Sequence, residues 1–282
     1  STRIKEDYLR ILRFFRFEAR LKFSSNEKTY KVIQNEAEGL KKISQERITS
    51  ELRLIFEQKN IERSLSLLVE TGVLEIVLDF LSPHKKTLSS KKFLEFFSAL
   101  DSIEHNHRFL TRIACFFSIL YKYDKNFSKE LLKKNLSRLR LSNKELKFVF
   151  FLLFGFHKFL SLSENTWEYL EFYDECQSNL DINFDFDTFE VFSLALAKFI
   201  EVTDFDSLKL KLKKTKEIEK KYGYRKKDAL IDGRDVEMWT QNQIKGKELG
   251  RLILNVKRAY LNGEWKDRNE AKKWLDKYRK NS

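Results

Sequence analysis

The stretch RIKEDYLRILRFFRFEARLKF, residues 3–23, decides the fold class predicted for this chain. Apolar side chains recur in it at steps of three and four residues, the spacing that lines one face of an α-helix; they are Tyr8, Ile11, Leu12, Phe15 and Ala19. Charged side chains lie on the opposite face. The pattern predicts one amphipathic helix from Arg3 to Lys22.

The composition extends this prediction to the whole chain. A single proline, Pro83, and eight glycines in 282 residues leave few obligatory breaks in long helices. With 42% hydrophobic residues the chain is long enough to bury a continuous core. We expect an all-α fold of several helices in three subdomains, 1–60, 61–204 and 205–282, in an elongated arrangement.

Hydrophobic periodicity and turn residues place the other helices. They are predicted over 28–40, 45–58, 61–81 with a break at Thr71-Gly72, 90–104, 107–122, 127–139, 143–161, 164–178, 187–202, 246–261 and 267–278. The apolar run FVFFLLFGFHKF at 148–159 predicts a buried central helix. Ser142 with Glu145, Asp187 with Glu190, and Asp267 with Glu270 have the spacing of capping boxes. The alternating SLKLKLK at 207–213 is interpreted as helix because its neighbours are helical.

The positive charge is concentrated at the end of the chain. Of a formal net charge of +13, residues 205–282 carry +11, from 23 Lys/Arg and 12 Asp/Glu. Such a surface attracts polyanions, of which nucleic acid is the leading interpretation and a membrane surface the competing one. No apolar run reaches 18 residues, which disfavours a membrane. Cys115 and Cys176 have no metal or redox spacing, so free thiols in a reducing cytoplasm are expected.

The polar face of the first helix forms a charged stripe. Glu6, Arg10 and Arg13 fall within about 60 degrees of one another on a helix, and Asp7 and Arg16 flank them. A carboxylate beside a guanidinium offers the acceptors and donors needed to pair with the edge of a base, and further arginines suit a triphosphate. A solvated face with ordinary salt bridges fits the spacing equally well.

The stripe belongs to a recognisable pair of motifs. Residues 3–23, followed by SQERITSEL at 44–52, strongly resemble the neck of class II tRNA nucleotidyltransferases (CCA-adding enzymes) and bacterial poly(A) polymerases. The resemblance continues more weakly through LSLLVETGVLEIV at 65–77, and through 230–251 and 269–275 near the end. It implies a neck over 1–60, a helical body over 61–204 and a basic, tRNA-binding tail over 205–282.

The resemblance also implies roles for individual residues. Glu6, Asp7 and Arg10 match a Glu-Asp-x-x-Arg motif that acts as a protein template for the incoming base. Asp7 and Arg10 would bond the base of CTP or ATP, with Glu6 orienting Arg10. Further nucleotide contacts and a bracing helix are expected from Arg13, Arg16, Glu46, Arg47 and Glu51. Tyr8 departs from the family, which usually has proline there, but the first position of a helix tolerates either.

In the tail, phosphate contacts are predicted for Lys245, Lys247, Arg251, Lys257 and Arg258. Trp239, Tyr260 and Trp265 nearby could stack on bases, but core packing is the preferred interpretation. A basic face without a ligand is the alternative for the whole tail.

The sequence offers no convincing catalytic centre, so no catalytic or metal-binding residue is predicted. The Asp-x-Asp at 185–187 lacks a glycine turn, and Asp187 is expected to cap a helix. No His-Asp dipeptide occurs in the chain, and His105-Asn106-His107 is interpreted as surface or helix-end histidines rather than a metal site. In the family, Mg²⁺ is held by an N-terminal head, which we expect to come from a separate chain, a second protomer or a lost segment. The chain is therefore expected to select CTP or ATP and bind tRNA without catalysing transfer. The alternatives are part of a poly(A) polymerase and a non-catalytic RNA-binding adaptor.

Overall fold

The structure is a computed structural model that describes residues 2–22, 25–124, 128–163, 168–169, 172, 186–226, 231–261 and 263–280. All regular elements within these ranges are helical, without a β-strand among them, which confirms the all-α prediction. Across the same ranges, no helix combines the length and the apolar character that crossing a membrane requires.

The helices are short and numerous. The α-helices of the first half, numbered in chain order, are α1 Thr2–Glu6, α2 Arg10–Leu21, α3 Glu27–Glu36, α4 Gln45–Phe56, α5 Glu62–Glu70, α6 Val73–Val77, α7 Lys85–Leu88, α8 Lys91–Ala99, α9 His105–Tyr123 and α10 Lys129–Ser137. Three 3-10 helices lie among them, at Ala37–Lys42, Asp79–His84 and Leu100–Ser102. After these follow α11 Asn143–Phe150, a π-helical segment Phe151–Gly155, α12 Phe156–Ser161, α13 Phe186–Ile200, α14 Phe205–Lys226, α15 Gly233–Trp239, α16 Gly246–Leu261 and α17 Arg268–Lys280.

The chain divides into two compact units. The first consists of Ser1–Leu160 with Asn179–Leu208, and the second of Ser161–Ser178 with Lys209–Ser282. Within the first unit, α2 packs against α4 and α5, and α4 packs in turn against α9. Helix α4 thus packs against the helix that carries Arg10, Arg13 and Arg16 of the charged stripe. The limits predicted near residues 60 and 204 stay predictions.

The predicted helix from Arg3 to Lys22 is not continuous, and this prediction is wrong in one respect. The chain leaves the helix after Glu6 and enters α2 at Arg10. The carboxylate of Asp7 accepts a hydrogen bond from the N–H of Leu9 at 3.1 Å, a local bond that competes with helical pairing. The apolar face survives beyond the break, with Ile11, Leu12 and Phe15 fully buried.

Helix α9, rather than the phenylalanine-rich run, is buried on all sides. Its residues from His107 to Leu120 are all buried. In the run at 148–159, Phe150, Phe151 and Phe154 remain partly exposed, and a π-helical segment interrupts the helix. The prediction of a central helix there holds for one face only. The polar residues of α9 obscured its burial, because side-chain hydrogen bonds satisfy them inside the core.

The alternating segment at 207–213 is helical, as predicted, within α14. Leu208, Leu212 and Thr215 are buried at steps of four and three residues, whereas Leu210 is exposed. The segment alternates apolar and basic residues and still forms a helix with one buried face. Two of its three leucines, Leu208 and Leu212, lie on that face.

The capping predictions have different outcomes. Asp267 accepts hydrogen bonds from the N–H groups of Asn269 and Glu270 at 2.8 and 2.9 Å, and so caps α17. The prediction that Asp187 caps a helix is wrong, because α13 already begins at Phe186, which is buried in the core. Predicted helix 164–178 lies outside the described residues, except for 168–169 and 172.

Glu145 closes the predicted capping box of α11 and also links α11 to α4. Its carboxylate accepts the N–H of Ser142 at 2.8 Å, and its own N–H donates to the Ser142 hydroxyl at 3.3 Å. Nη2 of Arg53 donates to the same carboxylate at 2.6 Å. Burial by itself raises the pKa of Glu145, but the Ser142 N–H and Arg53 together hold that pKa below its ordinary value.

This arrangement predicts a pH-dependent stability. Because the folded pKa of Glu145 is lowered, its stabilisation is complete above about pH 4.5, its ordinary pKa, and is lost as the pH falls through the folded pKa. The variant Glu145→Gln should be less stable than the wild type by about 1 kcal/mol at neutral pH, with a smaller difference near pH 3. Urea unfolding at both pH values measures this. An undiminished difference in acid would contradict the assignment.

Candidate nucleotide-binding site

The break between α1 and α2 places Asp7 at the amino end of α2. The backbone carbonyl of Asp7 accepts the N–H of Arg10 at 3.0 Å, and its carboxylate accepts the N–H of Leu9. A carboxylate at the start of a helix is favoured by the partial positive charge of the free N–H groups there. The turn therefore carries an acidic side chain that is fixed by its own backbone.

Two arginines approach the Asp7 carboxylate from different helices. Nη1 of Arg13, on α2, lies 3.4 Å from Oδ2, and Nη2 of Arg47, on α4, lies 3.3 Å from the same oxygen. The Asp7 side chain is one quarter exposed. Both contacts are near the upper limit for a hydrogen bond, so the carboxylate is oriented but keeps capacity to accept a further donor.

Glu51, on α4, forms ion pairs with two arginines of the stripe. Its Oε1 accepts from Nε of Arg13 at 3.1 Å, and its Oε2 accepts from Nη1 of Arg16 at 3.0 Å. The Glu51 side chain is only 8% exposed, whereas those of Arg13 and Arg16 are 40% and 24% exposed. A nearly buried anion thus fixes two guanidinium groups whose remaining N–H donors reach the surface.

Arg10 stands at the exposed end of the stripe. Its Nη2 lies 3.7 Å from a Glu6 carboxylate oxygen, and the two side chains are 44% and 61% exposed. This is an ion pair rather than a short hydrogen bond. The structure therefore pairs Glu6 with Arg10 and links Asp7, Arg13 and Arg16 to one another directly or through Glu51, with Asp7 in the break between α1 and α2.

The three predicted bracing residues lie on α4 but differ in what they contact. Glu51 supports the stripe, Arg47 contacts Asp7 directly, and Glu46 pairs at 3.3 Å with Arg140, which lies between α10 and α11. Arg47 is thus part of the site itself. No sequence pattern could reveal this contact, because 40 positions separate it from Asp7.

Tyr8 does not occupy the first position of a helix, and that expectation is wrong. It lies in the turn before α2, whose first residue is Arg10. In that turn, the Tyr8 ring packs against Gly39.

The predicted tail residues lie on or just before α16. Lys245, Lys247, Arg251 and Arg258 are exposed, and Lys257 is half-buried. The opposite face of α16 buries Leu252, Val256 and Ala259. The nearby aromatic residues belong to this core: Trp265 is buried and donates its indole N–H to the Val256 carbonyl at 3.0 Å, and Trp239 and Tyr260 pack against the same cluster. RNA contact by the basic residues stays a prediction.

The described residues that were considered for metal or thiol chemistry are His105, His107, Asp187 and Cys115. In the described ranges, no three His, Cys, Asp or Glu side chains group closely enough to hold a metal ion. Nδ1 of the buried His107 faces the Thr188 hydroxyl at 3.3 Å, whereas His105 is exposed beside Glu57. Asp185 and Cys176 lie outside the described residues. Cys115 is a buried free thiol, whose pKa is raised by burial.

Comparison with known proteins relates this arrangement to a family. Residues 22–85 match the model described as the probable RNA and SrmB-binding site of polymerase A. A CCA-adding enzyme of Geobacillus sp. is 44% identical over 73 residues, which are 26% of this chain and 18% of that enzyme. A CCA-adding enzyme of Staphylococcus aureus is 26% identical over 148 residues, 52% of this chain and 31% of that enzyme.

The fold is also shared with a solved structure. The crystal structure of the Bacillus stearothermophilus CCA-adding enzyme in complex with CTP aligns with 99% of this chain and 64% of its own, with a TM-score of 0.62 and 19% identity. The chain therefore spans less than two thirds of the length of each of these relatives. Taken together, these matches show that the chain is related to the CCA-adding enzymes and poly(A) polymerases over part of the length of those proteins.

Proposed function

We propose that the chain is the nucleotide-selecting and tRNA-binding part of a tRNA nucleotidyltransferase that adds CCA, or part of it, to the 3′ end of tRNA from CTP and ATP. The observation that carries this proposal is the Asp7 turn. There, the partly exposed Asp7 carboxylate contacts Arg13 and Arg47, and a second, nearly buried carboxylate, Glu51, holds Arg13 together with Arg16.

The chemistry of the bases explains why such a turn would choose C and A. Cytosine and adenine both present an exocyclic amino donor beside a ring-nitrogen acceptor, so a carboxylate and a guanidinium complement either one. Uracil and guanine present a carbonyl where the amino group would be. That carbonyl oxygen would face the Asp7 carboxylate, leaving two acceptors in contact, which is unfavourable for binding. Asp7 and Arg10 are the residues proposed for these two roles.

The remaining arginines fit the charged part of the nucleotide. Arg13 and Arg16 keep donors toward the surface while Glu51 holds their other N–H groups, which leaves them preorganised for phosphate oxygens. The exposed basic residues of α16 are proposed to contact the tRNA backbone, since phosphate contacts provide affinity without reading sequence.

The transfer step is proposed to depend on a head domain supplied from outside residues 1–282, as a further segment, a separate chain or a second protomer. In the reaction, the 3′ hydroxyl of tRNA would attack the α-phosphate of the nucleotide and release pyrophosphate. The head would hold the Mg²⁺ of the reaction. Among the described residues of this chain, no three possible ligands lie close enough to hold a metal ion, so we assign these residues binding roles only.

Equilibrium dialysis of the purified chain with labelled CTP, ATP, UTP and GTP tests base selection. We expect CTP and ATP to bind more tightly than UTP and GTP, and Asp7→Ala to reduce that preference by about tenfold, the value of one bidentate base contact. Asp79→Ala removes another exposed, arginine-paired carboxylate of the first unit and should leave the preference intact. Equal binding of all four nucleotides by the wild type would contradict the proposal.

The same preparation tests the need for a head. The chain is incubated with labelled CTP and ATP and with tRNA that lacks its CCA end, with and without a separately expressed head domain. We expect incorporation only in the mixture, and incorporation by the chain alone would overturn the assignment of binding roles only.

The family model named for polymerase A keeps a poly(A) polymerase as the second candidate. An oligoadenylate primer extended in preference to tRNA would favour it.

A further inference from the structure

Tyr8 fastens the turn that carries Asp7 to a different part of the first unit. Its ring lies directly on the backbone of Gly39, in the 3-10 helix Ala37–Lys42. A Cβ atom at position 39 would overlap Cδ1, Cε1 and Cγ of the ring, far inside van der Waals contact. Only glycine at this position leaves room for the ring.

The surface on which Tyr8 rests is itself firmly held. Ala37 and Leu40, in the same 3-10 helix, are buried, and the helix packs against α3 and α6. Nζ of Lys42 lies 5.6 Å from the centre of the Tyr8 ring, within the range of a cation–π contact. The ring is therefore seated between a rigid backbone and a cationic side chain.

The position of Tyr8 is coupled to that of Asp7 through the backbone. The hydrogen bond from the Leu9 N–H to the Asp7 carboxylate closes a loop around Tyr8, so that residues 7, 8 and 9 move as one turn. A second contact, between Lys5 and Glu36 at 3.4 Å, ties the preceding helix to the end of α3. A displaced Tyr8 ring would thus redirect the Asp7 carboxylate.

We infer that Tyr8 and Gly39 are positioning residues, whose contact sets the direction of the Asp7 carboxylate and thereby the discrimination between bases. Neither residue is assigned a contact with the nucleotide. The inference rests on the proposed function for its consequence, since base discrimination presupposes that Asp7 reads the base. The packing of the turn can be measured independently of any nucleotide.

The first test is Gly39→Ala, measured by the same dialysis of the whole chain. The added Cβ must displace the Tyr8 ring, and misplacement of a reading group by about 1 Å costs up to about 100-fold. We expect the preference for CTP and ATP over UTP and GTP to fall by up to about tenfold, the loss expected when the Asp7 carboxylate itself is removed. The matched control is Gly250→Ala in α16, where a Cβ would meet nothing within 4 Å. An unchanged preference in a folded Gly39→Ala chain would overturn the inference.

The second test uses substitutions of the ring. Tyr8→Phe keeps the ring and should keep the preference, whereas Tyr8→Ala should lose it to the same extent as Gly39→Ala. In the double variant Tyr8→Ala/Gly39→Ala the Cβ no longer meets a ring, so its loss should equal that of Tyr8→Ala alone. Fully additive losses would show that the two residues act separately, against the inference.

A third measurement separates this inference from the proposed function. Amide hydrogen exchange of the free chain, followed at Leu9, should be faster in Gly39→Ala and Tyr8→Ala than in the wild type or Gly250→Ala, while amides in α4 keep their rates. If the wild type binds none of the four nucleotides, the proposed function fails, but this exchange result still decides the positioning of the turn. Unchanged exchange at Leu9 would overturn it.

Discussion

Replacement of Arg112 by methionine should lower the free energy of unfolding by about 3–5 kcal/mol, the cost of breaking a buried ionic network from one side. Arg112 is fully buried in α9. Its Nη1 donates to the carbonyl oxygens of Phe56 and Gln58, each at 2.6 Å, and its Nη2 donates to Asp101. Methionine has a similar length but donates no hydrogen bond, so these acceptors would lose their partner.

The location of Arg112 explains why the effect is expected to be large. The Phe56 carbonyl ends α4, where the last C=O groups of a helix have no partner within the helix, and the Gln58 carbonyl follows two residues later. The guanidinium also stacks on the ring of Phe97, 4.7 Å from its centre. Burial lowers the pKa of Arg112 to about 10, so the side chain is still charged at neutral pH and is balanced by Asp101. One residue therefore joins α4, α8 and α9.

Urea unfolding followed by circular dichroism measures this difference. The matched control is Arg138→Met, which removes an exposed arginine that also pairs with an aspartate, Asp79. A surface pair of this kind contributes at most about 1 kcal/mol. A loss for Arg112→Met no greater than that for Arg138→Met would contradict the role assigned to the buried network.

Glu51→Gln should weaken the binding of CTP and ATP by about 10- to 100-fold, because preorganised charge is what the arginines offer a triphosphate. Glutamine has almost the shape of glutamate but is neutral, and its amide end presents a donor to one of the two guanidinium groups. Arg13 and Arg16 cannot then both be held as they are by the two Glu51 oxygens. The loss of charged hydrogen bonds should also cost about 1–3 kcal/mol of stability.

The binding and stability effects can be distinguished by measuring both. Dialysis gives the affinity for each nucleotide, and urea unfolding gives the free energy of unfolding of the same preparation. Glu95→Gln removes an exposed carboxylate that pairs with Lys91 at 3.7 Å and should change neither quantity. Nucleotide binding by Glu51→Gln that equals that of the wild type would refute the assigned role of Glu51.

Short-range chemistry explains what could be predicted from the sequence. The capping box of Ser142 and Glu145, the cap at Asp267 and the helical state of 207–213 all depend on residues within a few positions of one another. Helical spacing likewise places Arg10, Arg13 and Arg16 of α2 along one side of the helix, whereas Glu6 and Asp7 precede α2. Their assignment to a nucleotide came from resemblance, and contact with a nucleotide stays a prediction.

The errors arose where a local pattern competed with a contact distant in sequence. The Asp7 carboxylate bonds to the Leu9 N–H and interrupts a helix that the periodicity made continuous. Helix α9 is buried although it carries Arg108 and Arg112, because backbone carbonyls of residues more than 50 positions away accept hydrogen bonds from both side chains. A prediction from hydrophobic periodicity places arginines on the surface, and it therefore predicts less burial for α9 than the structure shows.

The first helical region of the chain contains both kinds of information. The burial of Ile11, Leu12 and Phe15 on α2, with its arginines on the outside, follows from the amino-acid pattern, because helical periodicity depends only on neighbouring residues. The contacts of Glu51 and Arg47 with the stripe, and of the Tyr8 ring with Gly39, are visible only in the folded chain. Those contacts join positions 31 to 40 residues apart, and they form only when α2, α4 and the 3-10 helix pack together.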